Sequence, residues 1–434
     1  MRRCLTLVLA LLLFAGGCSS NRDGGPPDDA STGALTRDRT TVRWRGEVSA
    51  LRTPLYGGDV EDLRLRAQVF SLNIDLGGGF WGDRPGSVHV AIRWNDPSEL
   101  SHGFTGNAFS LYVLDGDGEL VEEAQAVQGD PAAAQSLDAG QLADGRYEVL
   151  VVPNQTQGLA YEGVAFVGSA RPDDLLPDLI PQPPTNVTFT ATRAEGSDNT
   201  SCLEIERLGK PNLERCLRFD ATIANVGSGP FIAEADITEA VEQRSRSIDA
   251  GLEPEGDLVQ IVKEGDDLER RVTTGRWVID REHVHTHLVD FAAFELYRVD
   301  GERGNEPLVT DAKIGFCPWD LVDERFGRAG GSVRVFGLPD CRVPSEREGS
   351  DPVVLRIGLS AGWADVYPAH RSIQYLDATD LADGVYDVVI RVDPNGWYEE
   401  SDTSNNEEAT RIRIEGDTIT CVREPYGCPD NFSG

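Results

Sequence analysis

The feature that most restricts how this chain can fold is a trio of histidines, His283, His285 and His287, inside the stretch WVIDREHVHTHLVDFAAF at 277–294. The chain holds six histidines in 434 residues, and His89, His102 and His370 are scattered. Alternate spacing sends side chains to nearly opposite sides of a helix but to one face of a strand. Val278, Ile279, Val284, Thr286, Leu288 and Val289 around the trio are mostly β-branched, which also favours a strand. Three imidazoles are therefore expected to project together. Along a flat strand the outer two Cα atoms stand about 13 Å apart. Each imidazole brings a metal to roughly 2 Å from its nitrogen, so a single ion is shared only if the side chains lean inward or the strand bends. Neutral imidazoles suit copper, zinc, iron or nickel, with copper favoured by the Irving–Williams order. The plain alternative is a polar strand face of solvated histidines.

The same strand texture runs through the rest of the chain. Residues 41–168 alternate apolar runs (41–44, 87–94, 109–114, 146–152 and 161–167) with turns such as Asp115-Gly116-Asp117-Gly118. No long helical period intervenes, so this part is expected to form a β-sandwich. LADGRYEVLVVPN at 142–154 loosely resembles the prepeptidase C-terminal type of bacterial jelly-roll module. Residue types that carry chemistry do not gather here, which suits an accessory role in adhesion, spacing or substrate positioning. Proline and aspartate concentrate at 169–186 and mark a boundary, with 169–175 as linker. Strands are expected again at 217–226, 277–299, 353–359, 385–392 and 410–414. The fold class is thus all-β, with two β-sandwich domains at 41–168 and 176–416, the second with long loops, and a tail at 417–434.

Charge narrows the partners. With 40 basic against 73 acidic residues the net charge is −33, which argues against nucleic acid and for attraction of cations. Only three lysines occur, Lys210, Lys263 and Lys313, so each is conspicuous. The chain opens Met1-Arg2-Arg3, continues apolar from Leu5 to Ala15 and reaches Gly16-Gly17-Cys18, the layout of an export signal. It resembles a bacterial lipoprotein signal with Cys18 as the lipidated residue, attached to the membrane through that lipid. Its apolar run falls short of the roughly 20 residues needed to span a bilayer. Ser19 points to outer-membrane sorting in a cell that has an outer membrane, so the expected location is the cell envelope, at the outer membrane or cell surface. Residues 19–40 are expected to be a flexible tether. Six cysteines follow, an even number that in an exported chain reads as disulfides; proximity favours 202–216, 317–341 and 421–428.

A set of motifs then appears in order. It begins with Leu176-Pro177-Asp178-Leu179-Ile180-Pro181, the pair Cys202 and Cys216, and Asn225-Val226-Gly227-Ser228-Gly229. The histidine trio follows, then Lys313-Ile314-Gly315-Phe316-Cys317, Asp365-Val366-Tyr367, Gln374-Tyr375-Leu376-Asp377 and Glu400-Ser401-Asp402-Thr403-Ser404-Asn405-Asn406. From Leu176 to about Ile414 the chain resembles the catalytic domain of lysyl oxidases, copper amine oxidases with a lysine tyrosylquinone cofactor. The resemblance implies copper on His283, His285 and His287, and a quinone cross-linked from Lys313 and Tyr367. It implies calcium held by Asp178, the Leu179 carbonyl, Glu400, Asp402, Asn405 and Asn406. Asp365 is the candidate base. The implied reaction converts a primary amine, a small molecule or a protein lysine side chain, with O₂ and water into an aldehyde, ammonia and hydrogen peroxide. A desolvated Lys313 would keep its amine neutral for the cross-link. Glu282, Trp363 and Ile373 depart from the animal enzymes, which have cysteines there. Two other functions fit the same residues: an envelope copper-binding protein whose Lys313 and Tyr367 never join, and a calcium-stabilised adhesion protein.

Overall fold

The computed structural model describes residues 31–49, 51, 55–82, 86–94, 107–126, 133–156, 158–168, 174–190, 201–208, 210–242, 254–264, 268–280, 285–310, 315–325, 333–344, 351–371 and 374–429. The first half runs β1 (Thr32–Thr36), β2 (Thr41–Val48), α1 (Val60–Arg66), β3 (Gln68–Asp75), β4 (Val88–Arg93), β5 (Ala108–Leu114), β6 (Leu120–Ala124), β7 (Ala134–Asp138), β8 (Gly145–Gln155) and β9 (Leu159–Val167). A five-stranded sheet, β1-β3-β8-β5-β6, faces a four-stranded one, β2-β9-β4-β7. Period-two burial explains the pairing of faces: Phe70, Leu72 and Ile74 alternate inward on β3, as do Val42 and Trp44 on β2. Trp44 stacks on Phe70 at 4.0 Å between the sheets. Gly163 leaves it room, since a Cβ there would lie 2.0 Å from the indole.

Residues 32–36, assigned above to the tether, form β1, parallel to β3 with Leu35 opposite Ile74. Leu35 is fully buried. One apolar side chain in the core and a row of ladder hydrogen bonds outweigh the loop-like composition around it.

The second half continues with β10 (Asp174–Leu175), β11 (Leu179–Pro181), β12 (Thr185–Thr188), α2 (Glu204–Arg207), β13 (Cys216–Asn225), β14 (Phe231–Asp236), β15 (Glu255–Glu264), β16 (Leu268–Asp280), β17 (His285–Val289), β18 (Ala292–Asp300), β19 (Glu302–Arg303) and β20 (Val309–Thr310). Then come β21 (Gly315–Phe316), β22 (Val322–Asp323), β23 (Val354–Leu359), β24 (Trp363–Tyr367), β25 (Leu376–Asp377), β26 (Gly384–Val392), β27 (Glu407–Glu415) and β28 (Thr418–Cys421). Three sheets enclose one core. Their main paths are β21-β17-β16-β15-β14-β23, β11-β13-β24-β22 and β19-β18-β26-β27-β28. Phe219 and Ile223 from β13, Trp277 and Ile279 from β16, Leu288 from β17, Phe294 from β18 and Val388 and Ile390 from β26 meet there. The chain is all-β, as its texture predicts, and this second core is walled by a third sheet.

Disulfides join Cys202 to Cys216, Cys317 to Cys341 and Cys421 to Cys428. The start of the expected tail, Thr418–Cys421, is β28, paired to β27. The two halves touch: Ala133 and Ala134 join the second core, the Ala133 N–H donates to Leu321 O at 3.2 Å, and the Arg334 N–H donates to Ser136 Oγ at 2.8 Å. Among the described residues no helix is long and apolar enough to cross a membrane.

Candidate metal and tyrosine centre

The histidine stretch is two strands, not one. β16 ends at Asp280 and β17 begins at His285, and the two pair antiparallel with Asp280 opposite His285 and Val278 opposite His287. Folding the apolar run back on itself lets each arm satisfy the other's backbone groups while Trp277, Ile279 and Leu288 all reach the core. His285 and His287 share a face, as alternate strand residues must. Their rings meet edge to face at 4.5 Å and their Nε2 atoms lie 2.7 Å apart. His283 lies outside the described residues, as does Lys313. Among the described residues no group of three or more histidine, cysteine, aspartate or glutamate side chains is placed to hold a metal ion.

The other edge of β17 is covered by two segments. Gly315 and Phe316 of β21 pair with Val289 and Leu288, and Arg342 bridges to His285. The Cys317–Cys341 disulfide ties these two segments together beside the histidines. Gly315 is packed so closely that a Cβ would fall 2.8 Å from His287 Cβ. Lys313 precedes β21 by two residues in the chain.

Phe316 connects this strand to the tyrosine. Its ring meets Tyr367 at 5.1 Å, perpendicular, and packs on its other sides against Phe294 and Phe291. Tyr367 ends β24, which pairs with β13 so that Tyr367 stands opposite Ala221 and Asp365 opposite Ile223. The Tyr367 hydroxyl and both Asp365 carboxylate oxygens are shielded from solvent. Burial, and then the Asp365 carboxylate, hold the phenol well above its usual range, while Arg371 and the Cys317 backbone pull it down. Burial in turn depresses the Arg371 guanidinium, opposed by the negative field of Asp365 and Tyr367. Phenol and carboxylate are thus enclosed together, within the field of a half-buried guanidinium. Such a set can hold the phenolic proton between two acidic oxygens and steady the anion left when it moves. Gln374 Nε2 donates to the Tyr367 and Phe219 carbonyls and fixes the end of β24 from behind.

A second cluster joins the ends of the C-terminal half. Leu179 N–H donates to Glu400 Oε2 at 2.6 Å, Asn405 Nδ2 to Asp178 Oδ1 at 2.9 Å and Asn406 Nδ2 to Glu400 Oε1 at 2.8 Å. Pro177 O accepts from the Ser401 N–H at 2.8 Å. With their amide nitrogens so engaged, Asn405 and Asn406 leave their Oδ1 atoms buried and without a hydrogen-bond partner. Burial pushes the Glu400 carboxyl up to about 7, against hydrogen bonds from Asn406 and Leu179 and with a further push from Asp393 and Asp178. Orphaned amide oxygens beside two carboxylates are the donor set of a hard cation. Asp402 is exposed instead, its Oδ1 taken by the Ser404 N–H and hydroxyl at 2.8 and 2.6 Å.

Arg371 was not singled out by sequence reasoning. The available signal was a basic residue four positions after the tyrosine, which becomes meaningful only once the intervening turn folds it back.

Residues 314–423 match the family model described as lysyl oxidase. That segment contains β21, β24, Tyr367 and the Glu400–Asn406 cluster, and it reaches into the expected tail. No curated protein matches the chain. Among solved structures, a periplasmic inhibitor of g-type lysozyme from Aeromonas hydrophila is 9% identical, covering 31% of this chain and 96% of its own, at a TM-score of 0.14. A putative beta-galactosidase from Bacteroides fragilis is 9% identical over 86% of this chain and 33% of its own, at 0.15. A glycosyl hydrolase family 2 member from Bacteroides cellulosilyticus is 10% identical over 86% and 27%, at 0.14. Superpositions this poor carry no argument.

Proposed function

We propose that the C-terminal half is an amine oxidase of the lysyl oxidase kind, which converts primary amines, O₂ and water to aldehydes, ammonia and hydrogen peroxide. The observation that carries this reading is the place of β21, paired on one side with the histidine strand and packed through Phe316 on Tyr367. Lys313 precedes it by two residues in the chain, and the matched family segment begins at residue 314.

The residues fit the groups the family uses. His285 and His287 present converging Nε2 atoms, the arrangement needed to share a cation or a proton, and His283 would complete a copper set. Copper and a quinone built from Lys313 and Tyr367 would supply a redox partner for O₂ and an electrophilic carbonyl for the amine. The protein's own part is local. Asp365 accepts the proton of the Tyr367 hydroxyl, and Arg371 balances the carboxylate. Phe316, Phe294 and Phe291 exclude water from one side of the ring. Asp365, two residues before Tyr367, is also the candidate base for the amine's α-proton. Calcium on Asp178, Glu400, Asn405, Asn406 and the Leu179 carbonyl would clip the start of the domain to its end, with Asp402 turning inward on binding. The acidic chain enriches cationic amines around it, an effect that salt screens.

Export and anchoring belong to the same proposal. The Cys18 signal supports a lipoprotein facing the envelope exterior; Cys18→Ser is expected to move the protein from the membrane fraction to the soluble fraction. For the enzyme, protein matured with copper and air is digested and its peptides weighed. One cross-linked, oxidised species holding Lys313 and Tyr367, together with amine-dependent peroxide release, is the expected result. Unmodified Lys313 and Tyr367 peptides in copper-loaded protein would replace the oxidase with a metal-capture function.

A further inference from the structure

Behind the tyrosine strand lies a charged side chain that solvent does not touch. Arg218, on β13, has 0% of its side chain exposed, and so has Glu206, its ion-pair partner on α2. Every arm of the guanidinium is used. Nε donates to Ser201 O at 3.0 Å, Nη2 to the Glu206 carboxylate, and Nη1 to both Ala369 O at 3.1 Å and Arg371 O at 3.0 Å. Glu206 also accepts from the Leu203 N–H at 2.7 Å.

Burying an ion pair is a weak route to stability, because desolvation offsets most of the attraction and an apolar pair of similar volume does as well or better. What such a pair holds is therefore the informative part. This one holds the turn 368–371, which leaves the active tyrosine. The Arg371 N–H closes that turn on Pro368 O at 3.0 Å. Asp220, two residues along from Arg218 on β13, accepts the Ala369 N–H at 2.6 Å. Both carbonyls and both N–H groups of Ala369 and Arg371 are thereby fixed, and Arg371 is the residue whose positive charge acts on Asp365 and Tyr367. The Cys202–Cys216 disulfide fastens the segment carrying Ser201 and Glu206 to the start of β13.

We propose that Arg218, neutralised by Glu206, is a positioning residue: it clamps the 368–371 turn and so sets where Arg371 stands relative to the Asp365 carboxylate and the Tyr367 hydroxyl. Its catalytic consequence rests on the amine oxidase reading above; the clamp itself does not. Arg218→Lys keeps a charge facing Glu206 but cannot span two carbonyls, because a single ammonium lacks the planar fork. Arg371→Met removes the aimed group and leaves the clamp intact.

The test uses full-length wild type, Arg218→Lys, Arg371→Met and the double variant. Amide hydrogen exchange in the peptide spanning 366–376 is measured first. Arg218→Lys is expected to speed exchange at Ala369 and Arg371 roughly tenfold, since a local opening loses its restraint, while Arg371→Met leaves it unchanged. Wild-type exchange in Arg218→Lys overturns the clamp, whatever the enzyme does. The second readout is the rate at which the quinone absorbance grows in at equal copper content. Each single variant should slow it between roughly tenfold and a hundredfold, as misplaced groups do, and the double variant no further than the worse single. Additive losses, or a wild-type rate in folded Arg218→Lys, overturn the proposal. If wild type forms no quinone, the oxidase reading falls and the exchange data alone decide the clamp. Glu206→Gln, which removes the counter-charge that holds the buried Arg218 guanidinium in place, takes the place of Arg218→Lys if that variant does not fold, with the same pattern expected.

Discussion

The two halves of the chain bury different chemistry. Among the described residues, the buried polar side chains of the N-terminal sandwich are His89, Asn107, Ser110, Gln135, Ser136, Asn154 and Thr156, none of them a carboxylate or guanidinium. The C-terminal half buries Glu206, Arg218, Asp220, Asp320, Asp365, Asp387 and Asp393. Both halves are β-sheet proteins with aromatic cores, so packing alone does not require the difference. A buried charge is costly unless paired and hydrogen-bonded, and a fully satisfied network holds its members in one arrangement. One half therefore packs, and the other packs and aims.

The sharpest way to break that comparison is to remove one oxygen from the aimed set. Tyr367→Phe keeps the ring that Phe316 meets and deletes only the enclosed hydroxyl beside Asp365. Amine-dependent peroxide release is expected to fall to background while the thermal midpoint falls by a few degrees, because the buried Asp365 carboxylate loses the hydroxyl that donates to it. Retained activity would detach the chemistry from this tyrosine. The converse substitution acts on the half that only packs. Trp44→Ala empties the space stacked on Phe70 and should cost about 3–5 kcal/mol, read by calorimetry as a lowered transition of the N-terminal sandwich. Peroxide release per folded molecule should not change.

How much of this was legible beforehand follows the same division. Strands whose residues alternate, such as Val88–Arg93 and Gly145–Gln155, could be read from period two and their bounding turns. The disulfides followed from proximity, because chain segments a short loop apart meet early and often. β1 was hidden, since Leu35 is one apolar residue in a polar run and only its partner Ile74 gives it a face. The hairpin break between Asp280 and His285 was hidden as well, because both arms have the same β-branched texture and nothing local marks where the chain reverses. Asp365 and Tyr367 were legible through a motif. Arg218, Glu206 and Arg371 were not, because an exposed ion pair and a fully buried one have the same letters, and their meeting depends on where β13 lies against the 368–371 turn.

The comparison also extends to pH. Glu400 is ordinarily a carboxyl of pKa near 4.5, and burial raises it to about 7 in the folded chain. Between those values the folded state binds the proton that the unfolded state has released. Stability without a cation therefore falls as pH rises from about 4.5 to 7, by ~3 kcal/mol, and stays at the lower level above. Calcium would hold Glu400 ionised and remove that loss. Its addition should raise the thermal midpoint more at pH 7.5 than at pH 5, and Glu400→Gln should abolish the difference. An equal shift at both pH values would separate calcium from this cluster.

The smallest effect is expected where the two halves meet. Asp323, on β22, lies in a cavity of the seam together with Arg93, Trp94 and Tyr161 from the N-terminal sandwich. Burial pushes its carboxyl up to about 7, with the Arg325 N–H and the more distant Arg93 opposing. The sign is that of Glu400: the folded chain keeps a proton that the unfolded chain loses above pH 4, so this group lowers stability progressively up to pH 7. Asp323→Asn should then match wild type below pH 4 and exceed it above pH 7 by ~1 kcal/mol, a value discounted because the cavity is open to water. Denaturant titrations at the two pH values measure it. At this seam the neutral-packing half meets a buried acid of its neighbour, so a variant that gained nothing at high pH would show that Arg93 already neutralises the carboxylate. The division between the halves would then run through the interface itself, with the N-terminal sandwich contributing charge as well as packing.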